Sequence, residues 1–320
     1  MSYEHLVAGI LGGLTSTLVL HPLDLLKVRF AVSDGQSSLK KNYRNISNAF
    51  ATIVKEEGFK GLYKGVAPNC LGAGTAWGLY FLFYNSVKKH MSETSLDPQL
   101  GPLKHMTAGA CAGALTTAIT NPIWVVKTRL CLQYGNVTTT ATATPSIPIN
   151  TTTTNSSTTA ANNIRSSLLP ESKQYSGTWD ALKKVYKYEG FPGLYRGFVP
   201  GLLGVSHGAI QLAAYEEMKR IYLTKRNLPK DHNLGTLQYL TCAALSKLLA
   251  ASITYPYQVV RARLQDQHVN YEGVLDVVKR TWRYESYLGF YKGFSAYLLH
   301  VTPNICIVFF VYETVTKAFN

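Results

Sequence analysis

Three strings in this 320-residue chain set charged or polar side chains three residues apart, just after a proline. They are His21-Pro22-Leu23-Asp24-Leu25-Leu26-Lys27-Val28-Arg29, Asn121-Pro122-Ile123-Trp124-Val125-Val126-Lys127-Thr128-Arg129 and Tyr255-Pro256-Tyr257-Gln258-Val259-Val260-Arg261-Ala262-Arg263. An acid and a base at i and i+3 share one face of a helix. What such residues can do is make and break ion pairs without changing a covalent bond. A second block follows each string: Glu57-Gly58 to Tyr63-Lys64-Gly65, Glu189-Gly190 to Tyr195-Arg196-Gly197, and Glu285-Ser286 to Tyr291-Lys292-Gly293. The chain is therefore a triplicated unit of about a hundred residues.

The elements that must position these strings follow from hydropathy. Apolar stretches lead into each proline string, at roughly 6–30, 103–131 and 235–263, and others follow each second block, at roughly 66–88, 199–221 and 295–317. The expectation is an all-α membrane protein of six helices in three pseudo-symmetric repeats, with a short amphipathic helix inside each repeat, as from Asn45 to Glu57. The repeats divide at 1–97, 98–228 and 229–320. The second is lengthened by a Thr-, Ser- and Asn-rich tract at about 136–173, which has too little apolar surface to order itself and reads as a flexible insertion. Small residues four apart, Gly9/Gly13 and Gly109/Gly113, predict close helix approach, with Ala243/Lys247 at the equivalent places in the third repeat. Pro22, Pro122 and Pro256 each remove a backbone hydrogen bond and predict three symmetry-related kinks that gather helix ends into a closed cup.

Composition narrows the class. Charged residues make up 16% of the chain, against roughly 25% in soluble domains, and hydrophobic residues reach 46%, which excludes a disordered chain. Mean hydropathy is only −0.00, so a hydropathy scan alone hesitates over a membrane assignment. A net charge of +14 suits an anionic partner. The scattered, odd-numbered cysteines carry no C-x-x-C spacing, and reduced structural thiols are expected rather than a disulfide framework or a zinc site. The first residues have neither a secretory nor a cleavable transit pattern, so any targeting signal is expected to be internal. No H-E-x-x-H, G-x-S-x-G, P-loop or G-x-G-x-x-G signature stands in a suitable context, and no enzyme and no cofactor are expected. The rival class, a soluble basic helical-repeat protein binding nucleic acid, fits the charge but not the long, charge-poor apolar stretches.

The paired blocks, three in register over nearly the whole chain, resemble the mitochondrial carrier family (solute carrier family 25). The resemblance implies a monomeric, multi-pass protein of the mitochondrial inner membrane. Its six tilted helices surround a mid-membrane solute site, with alternating access, a gate on each side and anionic lipid, cardiolipin above all, at the glycine blocks. It further implies a matrix gate in which Asp24 meets Lys127, Trp124 lies opposite Arg261 and Gln258 opposite Lys27, so only the first is an ion pair. The cytosolic-side gate would set Glu313 with Lys88, Asn85 with Lys219 and Glu216 opposite Thr316. Both gates read as weak.

For the solute, rows spaced by four on the even helices, Ala76/Tyr80/Tyr84, His207/Gln211/Tyr215 and Asn304/Val308/Tyr312, form a polar face. The family's contact positions fall on Gly72 and Ala73, Leu203 and Gly204, and His300 and Val301, where small residues leave room for a large planar solute. Lys247 takes the register of Gly13 and Gly113: it reaches into the cavity for a carboxylate or phosphate, or it pairs structurally or snorkels. His300 and His207 are further candidates, set against simple backbone hydrogen bonding. Trp77 and Tyr80 could stack on a ring system or merely pack. A tryptophan at position 124 and the strings around Pro122, Pro200, His207 and Pro256 are most similar to the folate/FAD branch of the family, with nicotinamide adenine dinucleotide and pyrimidine nucleotides as the other solutes it suggests. The resemblance to animal members of that branch implies arginine where His300 stands.

Overall fold

The computed structural model describes residues 3–34, 43–94, 102–134, 174–226 and 235–319; the Thr-rich insertion lies outside the described residues. One order of elements, long helix, short helix, tight turn, long helix, occurs in the first and third repeats; in the middle repeat the turn is merged into the short helix and the second long helix is divided. First come α1 (Tyr3–Val32), α2 (Ile46–Glu57), a 3-10 turn at Phe59–Tyr63 and α3 (Val66–Thr94). Next are α4 (Pro102–Cys131), α5 (Thr178–Leu194), α6 (Phe198–Leu203) and α7 (Val205–Lys225). Last are α8 (Thr236–Gln265), α9 (Val274–Glu285), a 3-10 turn at Tyr287–Tyr291 and α10 (Phe294–Phe319). Among the described residues there is no strand.

The long helices close into a ring because each second one packs on the first of the following repeat: α3 on α4, α7 on α8, and α10 back on α1. The odd helices α1, α4 and α8 also touch one another pairwise. Small residues permit these seams. A Cβ on Gly109 would lie 3.3 Å from the Tyr80 hydroxyl, and one on Gly113 would lie 3.2 Å from Val205. In α1 the close approach falls on Gly12, 3.2 Å from the Val308 carbonyl, while Gly13 faces open space. The register shared by Gly13 and Lys247 is thus not uniformly a packing register.

The short helices dock by one apolar face. Ala49 and Ile53 of α2 pack with Leu25, Leu26, Leu62 and Cys131, and Ala181 and Val185 of α5 pack with Val126 and Leu194. Helices α2 and α9 stop, and α5 kinks, where the chain takes a positive φ: +70° at Gly58, +59° at Ser286 and +67° at Gly190. Serine there bears a strain of order 1 kcal/mol that glycine escapes.

Each of the three prolines lies inside a continuous helix. In α8 the carbonyl that Pro256 leaves without its helical partner, on Ser252, accepts a hydrogen bond from the Tyr291 hydroxyl at 3.1 Å. The second long helix of the middle repeat, read as continuous from sequence, is interrupted at Gly204. Two successive tight bonds, Gly204 N to Gly201 O at 3.0 Å and His207 N to Gly204 O at 3.1 Å, replace the α-helical pattern. A Cβ on Gly204 would lie 2.9 Å from the Gly201 carbonyl and 3.1 Å from the Tyr257 hydroxyl, so the break sits against α8.

By length and composition one described helix segment, His105–Cys131 with mean hydropathy 1.2, is apolar enough to cross a membrane, and the bent pair Thr178–Leu194 with Phe198–Lys225 passes as a second.

Candidate functional site

The first proline string delivers Asp24 and Lys27 from α1, the second Trp124 and Lys127 from α4, and the third Gln258 and Arg261 from α8. All six line one cavity of about 340 Å³ where the odd helices meet. Lys127 Nζ donates to Asp24 Oδ2 at 2.5 Å, with both side chains 12% exposed. Asn69 of α3 adds a weaker bond to the same oxygen at 3.4 Å. The other two expected contacts are not direct. Arg261 donates to Asn121 Oδ1 at 3.3 Å rather than meeting Trp124, whose indole N–H donates to Thr120 and whose ring lies 5.6 Å from Lys127. Lys27 rests over the Tyr297 ring at 4.5 Å, and no hydrogen bond or ion pair joins it to Gln258.

Below this floor lies a second, threefold network. Arg29, Arg129 and Arg263, the last residue of each string, are buried and grip Glu57, Glu189 and Glu285 through both guanidinium nitrogens, at 2.5 to 2.9 Å. Lys64, Arg196 and Lys292 reach the same carboxylates at 2.7, 3.3 and 2.8 Å. Burial works against the charge on Glu57 and Glu285, but the arginine and lysine bonds outweigh it and hold both carboxyls below the ordinary glutamate value of 4.5. The residue before each proline completes the tie although its type differs every time. His21 bonds the Lys64 carbonyl, Asn121 the Leu194 carbonyl and Tyr255 the Lys292 carbonyl, at 2.9 to 3.0 Å.

Glycine is required at the end of each second block. Gly65, Gly197 and Gly293 have φ of +84°, +74° and +83°, and a Cβ there would lie 2.8 to 3.1 Å from the backbone oxygen of Lys127, Arg261 and Lys27. Each block therefore clamps the backbone of the next repeat's gate base.

The seam between the second and third repeats departs from this symmetry. Arg29 Nε and Arg263 Nε donate to the carbonyls of Cys131 and Ala31, whereas Arg129 Nε is buried without a partner. Lys64 and Lys292 donate to the Gln133 and Ser33 carbonyls, whereas Arg196 reaches Asn270 only at 3.5 Å. A cavity of about 420 Å³ lies along the same seam. Gln265 holds it instead, accepting from Thr128 at 2.7 Å and donating to the Arg196 carbonyl at 3.3 Å.

Sequence comparison decides what this arrangement is. The profile described as mitochondrial carrier protein matches residues 1–95, 98–226 and 232–320. The chain belongs to the mitochondrial carrier family. It is 38% identical to the chloroplastic folate transporter 1 of Arabidopsis thaliana, over 98% of this chain and 95% of that protein. It is also 34% identical to the chloroplastic nicotinamide adenine dinucleotide transporter 1 of the same plant, over 97% and 90%. With a mitochondrial FAD carrier protein of Saccharomyces cerevisiae it shares 31% identity, over 97% and 95%.

At the opposite end of the carrier from the floor, Asn85, Lys88 and Glu216 are exposed and Lys219 is half-buried, and no hydrogen bond or ion pair links them among the described residues. The side chains of Glu313 and Thr316 lie outside the described set.

Of the candidate solute residues, three are engaged at helix seams. Tyr80 stacks on Tyr84 with centroids 6.1 Å apart, its hydroxyl close to Gly109, and Tyr84 bonds His105 at 2.9 Å. Asn304 accepts from Ser16 at 3.0 Å. His207 Nδ1 lies 2.9 Å from the Thr254 hydroxyl, which donates to the Ala250 carbonyl, so Nδ1–H is the donor and Nε2 is left for other partners. The rows spaced by four thus run along the seam with the next odd helix. Lys247, His300 and Gln211 are half-buried without a hydrogen bond or ion pair among the described residues. Lys247 lies near enough to His207 and His300 to act on both electrostatically. Trp77 is 64% exposed and stacks on Phe81 at 5.8 Å.

Proposed function

We propose that this carrier moves FAD, folate or both across the mitochondrial inner membrane by alternating access, with six membrane-spanning helices and the anionic solute held in a cation-rich central cavity. One observation carries the reading. Among the described residues a single carboxylate, Asp24, lines the floor cavity beside Lys27, Lys127 and Arg261, and Lys247 has no acidic partner. In a medium of low dielectric such an excess attracts a solute bearing two or more negative charges. FAD contributes a pyrophosphate and folate its glutamate carboxylates, and the names of two relatives, a folate transporter and an FAD carrier, agree with this chemistry. The nicotinamide adenine dinucleotide transporter at 34% identity supports a second reading with another dinucleotide as solute.

Solute exchange through a wet cavity accounts for charges that a lipid-facing helix could not tolerate. The inner-membrane placement follows the family, although relatives of this carrier are also named chloroplastic. A monomer with anionic lipid at the glycine blocks completes the reading.

The test is uptake by liposomes reconstituted with the full chain, offered labelled FAD, a reduced folate and nicotinamide adenine dinucleotide. The expected result is saturable uptake of at least one, with Lys247→Ala lowering kcat/KM by about tenfold or more, the worth of one charge-assisted contact. Equal uptake with and without the lysine would remove it from the solute site.

A further inference from the structure

Lys27 stands where the fold calls for a gate link, yet the structure gives it none. The position opposite is Gln258, a neutral side chain with no bond to it, and Asp24 is already taken by Lys127 and Asn69. Arg261 makes one bond, to Asn121 at 3.3 Å. Lys27 instead lies flat over the Tyr297 ring at 4.5 Å, on the wall of the cavity of about 340 Å³ that Trp124 and Tyr257 also line. A cation resting on an aromatic face, without a hydrogen bond or ion pair among the described residues and beside a cavity of that size with planar neighbours, is arranged to receive an anion.

Resting on the carrier reading above, we propose that this cavity is a second, gate-level solute subsite, in which Lys27 binds a phosphate or carboxylate of the solute against the ring faces of Tyr297, Tyr257 and Trp124. Lys247 lies fourteen residues before Arg261 in α8, and repeat register sets Lys27 level with Arg261. At 1.5 Å per residue the two cation levels are about 21 Å apart along the helix. That span suits an elongated solute that reaches from mid-cavity to the floor. The bound anion supplies the negative charge that Gln258 does not, so the floor is electrostatically complete only when loaded.

The experiment measures KM and kcat separately for labelled FAD and for a reduced folate, in liposomes holding the full chain or the variants Lys27→Gln, Lys27→Arg and Gln258→Glu. Lys27→Gln is expected to raise KM about tenfold or more with kcat within about twofold, and Lys27→Arg to keep KM near that of the unaltered chain. Gln258→Glu, which places a carboxylate of the protein where the solute's anion would sit, is expected to raise KM in the same way. The solute whose KM responds identifies the source of the anion, pyrophosphate for FAD or carboxylate for folate. If Lys27 is instead a plain gate link, Gln258→Glu lowers kcat by over-locking the floor, leaves KM unchanged, and the subsite is overturned. Uptake by the unaltered chain with KM indifferent to all three variants overturns the subsite alone. No uptake of either solute by the unaltered chain overturns the proposed function and the subsite with it.

Discussion

Asp24→Ala is expected to destabilise the protein by about 3 kcal/mol and to lower transport by more than tenfold, because it strands Lys127 as a buried charge without its counter-ion. The pair is the one direct ion pair among the six gate residues, with both side chains 12% exposed and Nζ and Oδ2 2.5 Å apart. Lys127→Ala, leaving Asp24 with Lys27 and His300 nearby and the weak Asn69 bond, is expected to cost a similar amount. The double variant then regains part of the loss, since neither charge is left alone, and a coupling of roughly 1–3 kcal/mol results. Thermal unfolding in detergent of the two single variants and the double variant measures this directly. Strictly additive losses would mean that the two side chains do not act as a pair.

The second large effect belongs to the arginine and glutamate ties beneath the floor. Glu57→Gln and Glu285→Gln are each expected to cost about 3 kcal/mol, because Arg29 and Arg263 are almost fully buried and lose the carboxylate that neutralises them. Glu189→Gln should cost less, since Glu189 is 23% exposed and its Arg196 partner stands farther off. The same groups set an acid limit. Glu57 and Glu285 have carboxyl pKa values depressed by folding, so their contribution is fully present above the ordinary glutamate value of 4.5 and is lost as pH falls from there through their folded values. Detergent-solubilised protein should hold its melting temperature from pH 7 to about pH 5 and lose it steeply below about pH 4.5. In the glutamine variants that acid step should shrink, and an unchanged step would assign acid unfolding to other groups.

How much of this was legible beforehand depends on the range over which the signal acts. The gate bases and Asp24 stood out because repetition placed them in one register, and the structure brings all six gate positions to one cavity. The arginine and glutamate ties were missed although both residue types recur three times. Their partners are 28, 60 and 22 residues apart, and separations that vary with loop length hide a constant spatial relation. The recurrence itself was the usable signal. The rows spaced by four defined a helix face correctly, but periodicity does not say which neighbour that face meets, and Tyr84, His207 and Asn304 meet the next odd helix. Gly204 was read as room for a solute, whereas its lack of a side chain also admits the Tyr257 hydroxyl and interrupts the helix. The broken seam beside Arg129 had no sequence counterpart, since it consists of backbone carbonyls that two repeats use and the third does not.

The central claim, that an unbalanced positive floor selects a multiply charged solute, is tested most directly by comparing FAD with riboflavin, the same ring system without phosphates, in one liposome preparation. With FAD as the solute, the account predicts saturable uptake, suppressed as ionic strength rises, and riboflavin uptake no faster than in protein-free vesicles. Riboflavin carried as fast as FAD, with no sensitivity to salt, would contradict it.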